Sequence, residues 1–207
     1  MAVYKGNGRY SGKVGSVVFC NWKDIDYIRS VPDPVKRKPS QKEKTNRERL
    51  KLANRVMQSL GEVLRIGFRA TPGRGTPLNA ALSDIMKNAI TRDPENITAD
   101  YPRLRIAAGL LQGPQNVKAV READDITFTR DDNSSLGDAS PSDHSLLVAV
   151  SEDGRFFFSD KEFTRNHCQF SLTINGYDAT TQHWHCYLAF LRSNKKDTST
   201  SVYAGQV

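Results

Sequence analysis

At 207 residues the chain is long enough for one large domain or two small ones with a buried core. Its 38% apolar and 26% charged residues exclude wholesale disorder, and it contains no run of about 18 apolar residues that would span a membrane as a helix. The net charge of +7 is unevenly spread: residues 1–70 carry 16 Lys/Arg against 6 Asp/Glu, whereas Glu122 to Glu162 carries 3 against 11.

The chain opens with YKGNGRYSGKVGSVVF, Tyr4 to Phe19, which places glycines before a Gly-Lys pair. A phosphate-cradling loop would need a glycine five positions before Gly12, a hydroxyl residue after Lys13 and a helix beyond it. Asn7 and Val14 occupy the two positions, and the downstream pattern is a strand. The dinucleotide spacing fails as well, so the glycines are read as positions of backbone freedom. Val14 to Phe19 and Tyr27 to Val31 read as two strands of a hairpin, joined through NWKDID. The proline-rich, basic segment PDPVKRKPS follows as an exposed connector.

Ser40 with Glu43 forms a capping-box pattern that opens a helix. Ala53, Val56, Met57, Leu60, Val63 and Leu64 recur at helical spacing and define its buried stripe, with Gly67 at its end. A second helix starts at Thr76 and Pro77, buries Leu78, Leu82, Ile85, Met86 and Ala89, and closes at Asp93-Pro94. From Arg103 the texture becomes short strands: 104–111, 126–130, 146–150, 155–159, 169–174, 183–191 and 199–204. The expected fold is therefore α+β: an N-terminal β-hairpin and two helices over residues 1–102, then an antiparallel immunoglobulin-like β-sandwich over 103–207.

The chemistry-bearing residues are few. His183 and His185 are the metal candidates, but an i, i+2 pair supplies only two ligands, so no metal and no cofactor is assigned. On a strand the pair would point to one face, read as the outer one, with Trp184 and Cys186 in the core. The acidic loop lacks the glycine and glutamate of a calcium-binding hand, which leaves Asp131, Asp132 and Asp138 as an irregular carboxylate alternative to a solvated loop. Cys20, Cys168 and Cys186 are scattered, which reads as reduced thiols. No nucleophile motif is present, and the chain is read as non-enzymatic.

What stands out is the basic front: Arg9, Lys13, Arg29, Lys36, Arg37, Lys38, Lys42, Arg47 and Arg49. Such a cluster is the footprint of an anionic partner, with aromatic residues nearby for stacking. The expected function is that of a structural or assembly protein binding other subunits, its own copies included. Sequence-independent nucleic-acid binding is the alternative. The start MAVYKGNGRY lacks a secretory apolar segment, so cytoplasmic synthesis is expected, with a virion or other particle as an eventual location.

The motifs GRYSGKVG (8–15), YIRS (27–30), NR (46–47), IGF (66–68), TPLNAA (76–81) and SVYAG (201–205) resemble, nearly end to end, a family of roughly 200-residue Bacteroidetes proteins of unknown function. The first third is also similar to small uncharacterised proteins of tailed-phage gene clusters. The resemblance implies no catalytic residue. The chain departs from the pattern at ITFTRDD, where a tryptophan is expected, and at HWHCYLAF, which is richer in His and Cys.

Overall fold

The computed structural model describes residues 2–6, 8–22, 25–33, 37–70, 75–160, 162–174, 183–194 and 196–207. Within them the chain forms three α-helices and eleven strands in three antiparallel sheets, a mixed α+β architecture. It falls into two compact units, Met1–Ser40 and Gln41–Val207. The expected domain division at 102/103 lies inside the second unit, where helices and sheet share one core.

The first unit is a four-stranded meander, β1 (Val3–Tyr4), β2 (Tyr10–Val14), β3 (Val17–Trp22) and β4 (Ile25–Ser30), paired in chain order. Val14–Phe19 is not the single strand that its apolar run suggests. Val14 pairs with Val17 across a two-residue turn, and Gly15 takes φ +56° in it. Only glycine enters that region without steric cost, so the apolar run folds back on itself and does not continue. Beyond the turn, Phe19 faces Ile28 and Cys20 faces Tyr27, so the expected pairing of these segments is present.

In the second unit, α1 (Gln41–Ser59) and α2 (Gly61–Gly67) follow one axis of apolar spacing. Leu60 lies between them, and the amides of Leu60 and Leu64 still donate to the carbonyls of Val56 and Leu60. Ala53, Val56, Leu60, Val63 and Leu64 are buried as the stripe requires. In α3 (Pro77–Asp84), Thr76 caps the first turn by accepting from the Asn79 amide at 3.2 Å. The helix then widens into a π-helical turn, Ile85–Ala89.

The strands β5 (Lys118–Glu122), β6 (Asp125–Thr129) and β9 (Gln169–Thr173) make one sheet, in the order β5-β6-β9. A second sheet runs β11-β10-β7-β8, with β7 His144–Val150, β8 Phe156–Ser159, β10 His185–Leu191 and β11 Val202–Gln206. Leu146, Val148, Val150, Tyr187, Ala189 and Leu191 pack with the helices. The alternate residues Leu147, Ala149, Cys186 and Leu188 pack with Ile126, Phe128, Phe170 and Leu172 of the other sheet. The four-stranded sheet is thus covered on both faces, by helices on one and by a sheet on the other.

The expected strand 104–111 is not a strand, apart from one parallel bridge between Leu111 and Ser199. Its backbone is satisfied elsewhere: Ala108 N–H donates to Gly67 O, and the Ile106 amide donates to Ser201 Oγ. This segment crosses α2 so closely that a Cβ on Gly67 would lie 2.1 Å from Ile106 O and 2.8 Å from Ala107 Cα. Gly67→Ala therefore forces backbone apart from backbone, a cost of about 3 kcal/mol. Thermal unfolding of that variant is expected about 10 °C lower for a unit of this size. An unchanged melting temperature would contradict the crossing.

Candidate anionic-partner surface

Antiparallel register assigns each residue of the first unit to a face. Lys13, Val18 and Arg29 lie side by side across β2, β3 and β4. Cys20 with Tyr27, and Trp22 with Ile25, continue that face. The opposite face carries Tyr4, Tyr10, Phe19 and Ile28, with ring centroids 5.3 Å apart for Tyr4–Tyr10 and 5.9 Å for Tyr10–Phe19. Both faces are open: Tyr4 is 58% exposed, Ile28 61% and Ile25 60%. Arg9 is not a free cation, because its Nε sits 3.3 Å from Asp26. Lys13 and Arg29 are brought together, whereas Lys36 lies outside the described residues. Arg37 and Lys38 are exposed at the end of the unit.

In the second unit α1 divides its cations between two faces. Lys42, Asn46 and Arg49 project from the N-terminal overhang of the buried stripe and, with Arg92 and Pro94, line an open cavity of about 630 Å³. Arg49 has a structural role, since its Nε donates to Thr91 O and a terminal nitrogen to Met86 O, both at 3.0 Å. It thereby ties the helix to the end of the π-helical turn. The opposite face carries Lys44, Arg47, Lys51 and Arg55, all exposed and without a charged partner among the described residues. At 1.5 Å per residue this ridge is about 16 Å long. Lys44 and Arg47 of the four lie in the basic segment read from the sequence; Lys51 and Arg55 lie beyond it. Their spacing of 3, 4 and 4 residues carries the signal, but the consecutive bases of the connector overshadow it.

The histidine pair does not behave as expected. His183 is exposed, but His185 is 4% exposed and lies flat on Tyr101, with ring centroids 4.3 Å apart. Its Nδ1 is 3.0 Å from the Tyr203 hydroxyl and its Nε2 is 3.6 Å from Glu152. Both faces of the sheet are covered, so alternation carries His185 into a second interior and not into solvent. His144 pairs with Leu191 at the far end of β10. Among the described residues no group of three His, Cys, Asp or Glu side chains converges as a metal site. The acidic-loop carboxylates are engaged separately. Asp131 accepts from Asn116, Asp132 from the Ser134 amide, and Asp138 pairs with Arg192 at 2.9 Å. The Ser134 contact holds the Asp132 carboxyl below its usual range. All three cysteines are free thiols.

These features define a two-unit α+β protein with cations on a small sheet and exposed cations on one helix. The chain belongs to the DUF6266 family, a family of unknown function, whose model matches residues 9–205. No curated protein and no solved structure matches it. No helix among the described residues is long and apolar enough to cross a membrane.

Burial lowers the His185 pKa below its ordinary 6.5, with the Glu152 carboxylate acting in the opposite sense and His183 in the same sense. The unfolded chain therefore takes up a proton below pH 6.5 that the folded chain resists, and folded stability falls as pH drops from 6.5 through the lowered value. Thermal melts between about pH 7.5 and 5 are expected to show this decline, with a shallower slope in His185→Gln. Equal slopes in the two proteins would remove His185 as its source.

Proposed function

We propose that this chain is a non-enzymatic assembly protein that binds a multi-copy or anionic protein partner through its basic N-terminal region. The observation that carries the reading is a four-stranded sheet with apolar side chains open on both faces. Folded proteins rarely leave contiguous apolar surface uncovered, and exposed aromatic residues are the usual anchors of protein interfaces. Strand β4, exposed along all six residues at the sheet edge, adds a template to which a partner strand can pair. Lys13 and Arg29, flanking Val18, give one face a positive sign. Residues 1–40 hold 8 Lys/Arg against 3 Asp/Glu, so an acidic surface suits this unit better than a second copy of itself.

The acidic stretch Glu122 to Glu162 of another copy is one such surface, which would give head-to-tail assembly. In this reading the paired sheets of the second unit act as an immunoglobulin-like scaffold, and the setting is a phage-like particle or another multi-subunit assembly. Light scattering of the full chain at low ionic strength is expected to show a mass above 23.1 kDa that rises with concentration. Phe19→Ser, and Lys13→Glu with Arg29→Glu, should each return it toward the monomer mass. A strict monomer across micromolar to millimolar concentrations would remove self-assembly.

A second reading, sequence-independent nucleic-acid binding, is favoured by the ridge Lys44, Arg47, Lys51 and Arg55. Four phosphate contacts would give a slope of about −3 to −4 in log K against log salt, and Lys51→Gln with Arg55→Gln would reduce it by about 2. No shifted band for a duplex or single strand at low salt would end this reading.

A further inference from the structure

The π-helical turn Ile85–Ala89 borders a second cavity, of about 380 Å³. Its polar lining comes from Lys87, Asn88, Arg103, Arg105, Ser201 and Tyr203, three cations and no carboxylate. These residues arrive from separate elements: the π-helical turn, a 3-10 turn at Tyr101–Arg103, the segment after it, and the approach to β11 with its first residues. Insertion of an extra residue in a helical turn redirects the side chains that follow, and such turns recur at binding sites.

Two of the three cations have a carboxylate nearby. Asp100 sits 3.4 Å from the Arg103 guanidinium and Asp84 sits 3.6 Å from that of Arg105. Asp84 also accepts from the Asn88 side-chain amide at 3.0 Å. Each carboxylate engages its arginine from outside the residues that line the cavity. Lys87 has no charged partner among the described residues. Ser201 Oγ accepts from the amides of Ile106 at 3.0 Å and Ala107 at 3.4 Å. Both its lone pairs are thus occupied, and its hydroxyl proton is the part left to donate. Tyr203 is fixed by His185 at 3.0 Å.

We propose that this cavity binds the dianionic phosphate group of a phosphate monoester. With Arg103 and Arg105 each beside one carboxylate, Lys87 supplies the net positive charge, and the remaining N–H donors of the three cations match the several oxygens of a phosphate better than the two of a single carboxylate. Two guanidinium forks suit the oxygens of a phosphate, which accept bidentate hydrogen bonds. The volume exceeds what one phosphate fills, so room remains for the ester it is attached to. The cavity shares no lining residue with the α1 ridge or the N-terminal sheet, and the proposal stands independently of the assembly reading.

Titration calorimetry on the full chain tests it with four probes: inorganic phosphate, glucose 6-phosphate, acetate, and a single-stranded oligonucleotide without terminal phosphates. Phosphate and its monoester are expected to bind, the ester more tightly, and acetate not to bind. Lys87→Gln and Arg103→Gln should each weaken monoester binding about tenfold or more. Lys87 is exposed and has no charged partner among the described residues, so Lys87→Gln is expected to keep the wild-type melting temperature, which secures a folded variant. No monoester binding at about 10 mM (tenfold above a millimolar Kd) would overturn the proposal. Affinity unchanged in both variants would overturn it too, as would binding of the oligonucleotide alone, which would direct the charge reading to phosphodiesters.

Discussion

Strand β10 has no solvent side, and that constraint organises the second unit around it. All seven residues from His185 to Leu191 are buried, between β7 on one edge and β11 on the other. An ordinary half-buried strand can alternate apolar with polar residues; one covered on both faces cannot. The consequences are electrostatic as well as steric. Away from water, the Cys186 thiol is pushed up to about 12 and the Tyr187 hydroxyl far above its ordinary value. Neither group is available as a nucleophile or a base near neutral pH. Tyr187 donates its proton to the carbonyl of Tyr101 at 2.7 Å, which pins the 3-10 turn to the sheet.

The buried charges of this interior come as a connected set. Arg165 is fully buried, and its Nε lies 3.1 Å from the equally buried Asp143. Its guanidinium stacks 3.8 Å from the Phe190 ring centroid and donates to Gln112 O at 2.8 Å and to Asn133 at 3.3 Å. Arg130 reaches the same asparagine, the carbonyls of Asp131 and His167, and the same ring at 5.1 Å. Burying a lone guanidinium costs several kcal/mol, so these partners are what make the arrangement tolerable. The network also ties the loops at 112, 131–133, 143 and 165–167 to one aromatic ring. The acidic loop is thus anchored from within, although its own carboxylates point to separate partners.

Much of this is legible from spacing, and the exceptions share a cause. The stripe Ala53, Val56, Leu60, Val63 and Leu64 and the cap at Thr76 depend on neighbours within a few residues, which a sequence displays directly. Strand β10 is legible from its largely apolar run CYLAFL, which suits a doubly covered strand, although its first residue is His185. By contrast, β5, KAVRE, is a polar edge strand with almost no apolar signal, and the segment 104–111 looks like a strand but is held by Gly67 and residues 198–201. The burial of His185 follows from a third layer that alternation cannot reveal. The charged residues divide in the same way. Exposed cations can be counted in the sequence, but the engagement of Arg9 by Asp26 and of Arg49 by two distant carbonyls cannot be read there.

The same division bears on where function can reside. In the second unit the apolar residues of α1 face one of two cores, and its solvent face carries exposed cations. Lys44, Arg47, Lys51 and Arg55 have no charged partner among the described residues, and the like charges of Arg47, Lys51 and Arg55 at i, i+4 spacing repel one another, offset in part by the exposed Glu48 beside them. An anion meeting this face would relieve the remainder. The first unit shows the same pattern in apolar form. Its sheet orders four strands but leaves Tyr4, Tyr10, Ile25 and Ile28 in water, forgoing the burial that normally offsets the entropy of ordering a chain. A surface that is unfavourable alone and favourable when covered is what the proposed assembly role would use. The opening glycines shape it: Gly15 turns the chain so that Lys13 and Val18 stand on one face and Phe19 on the other.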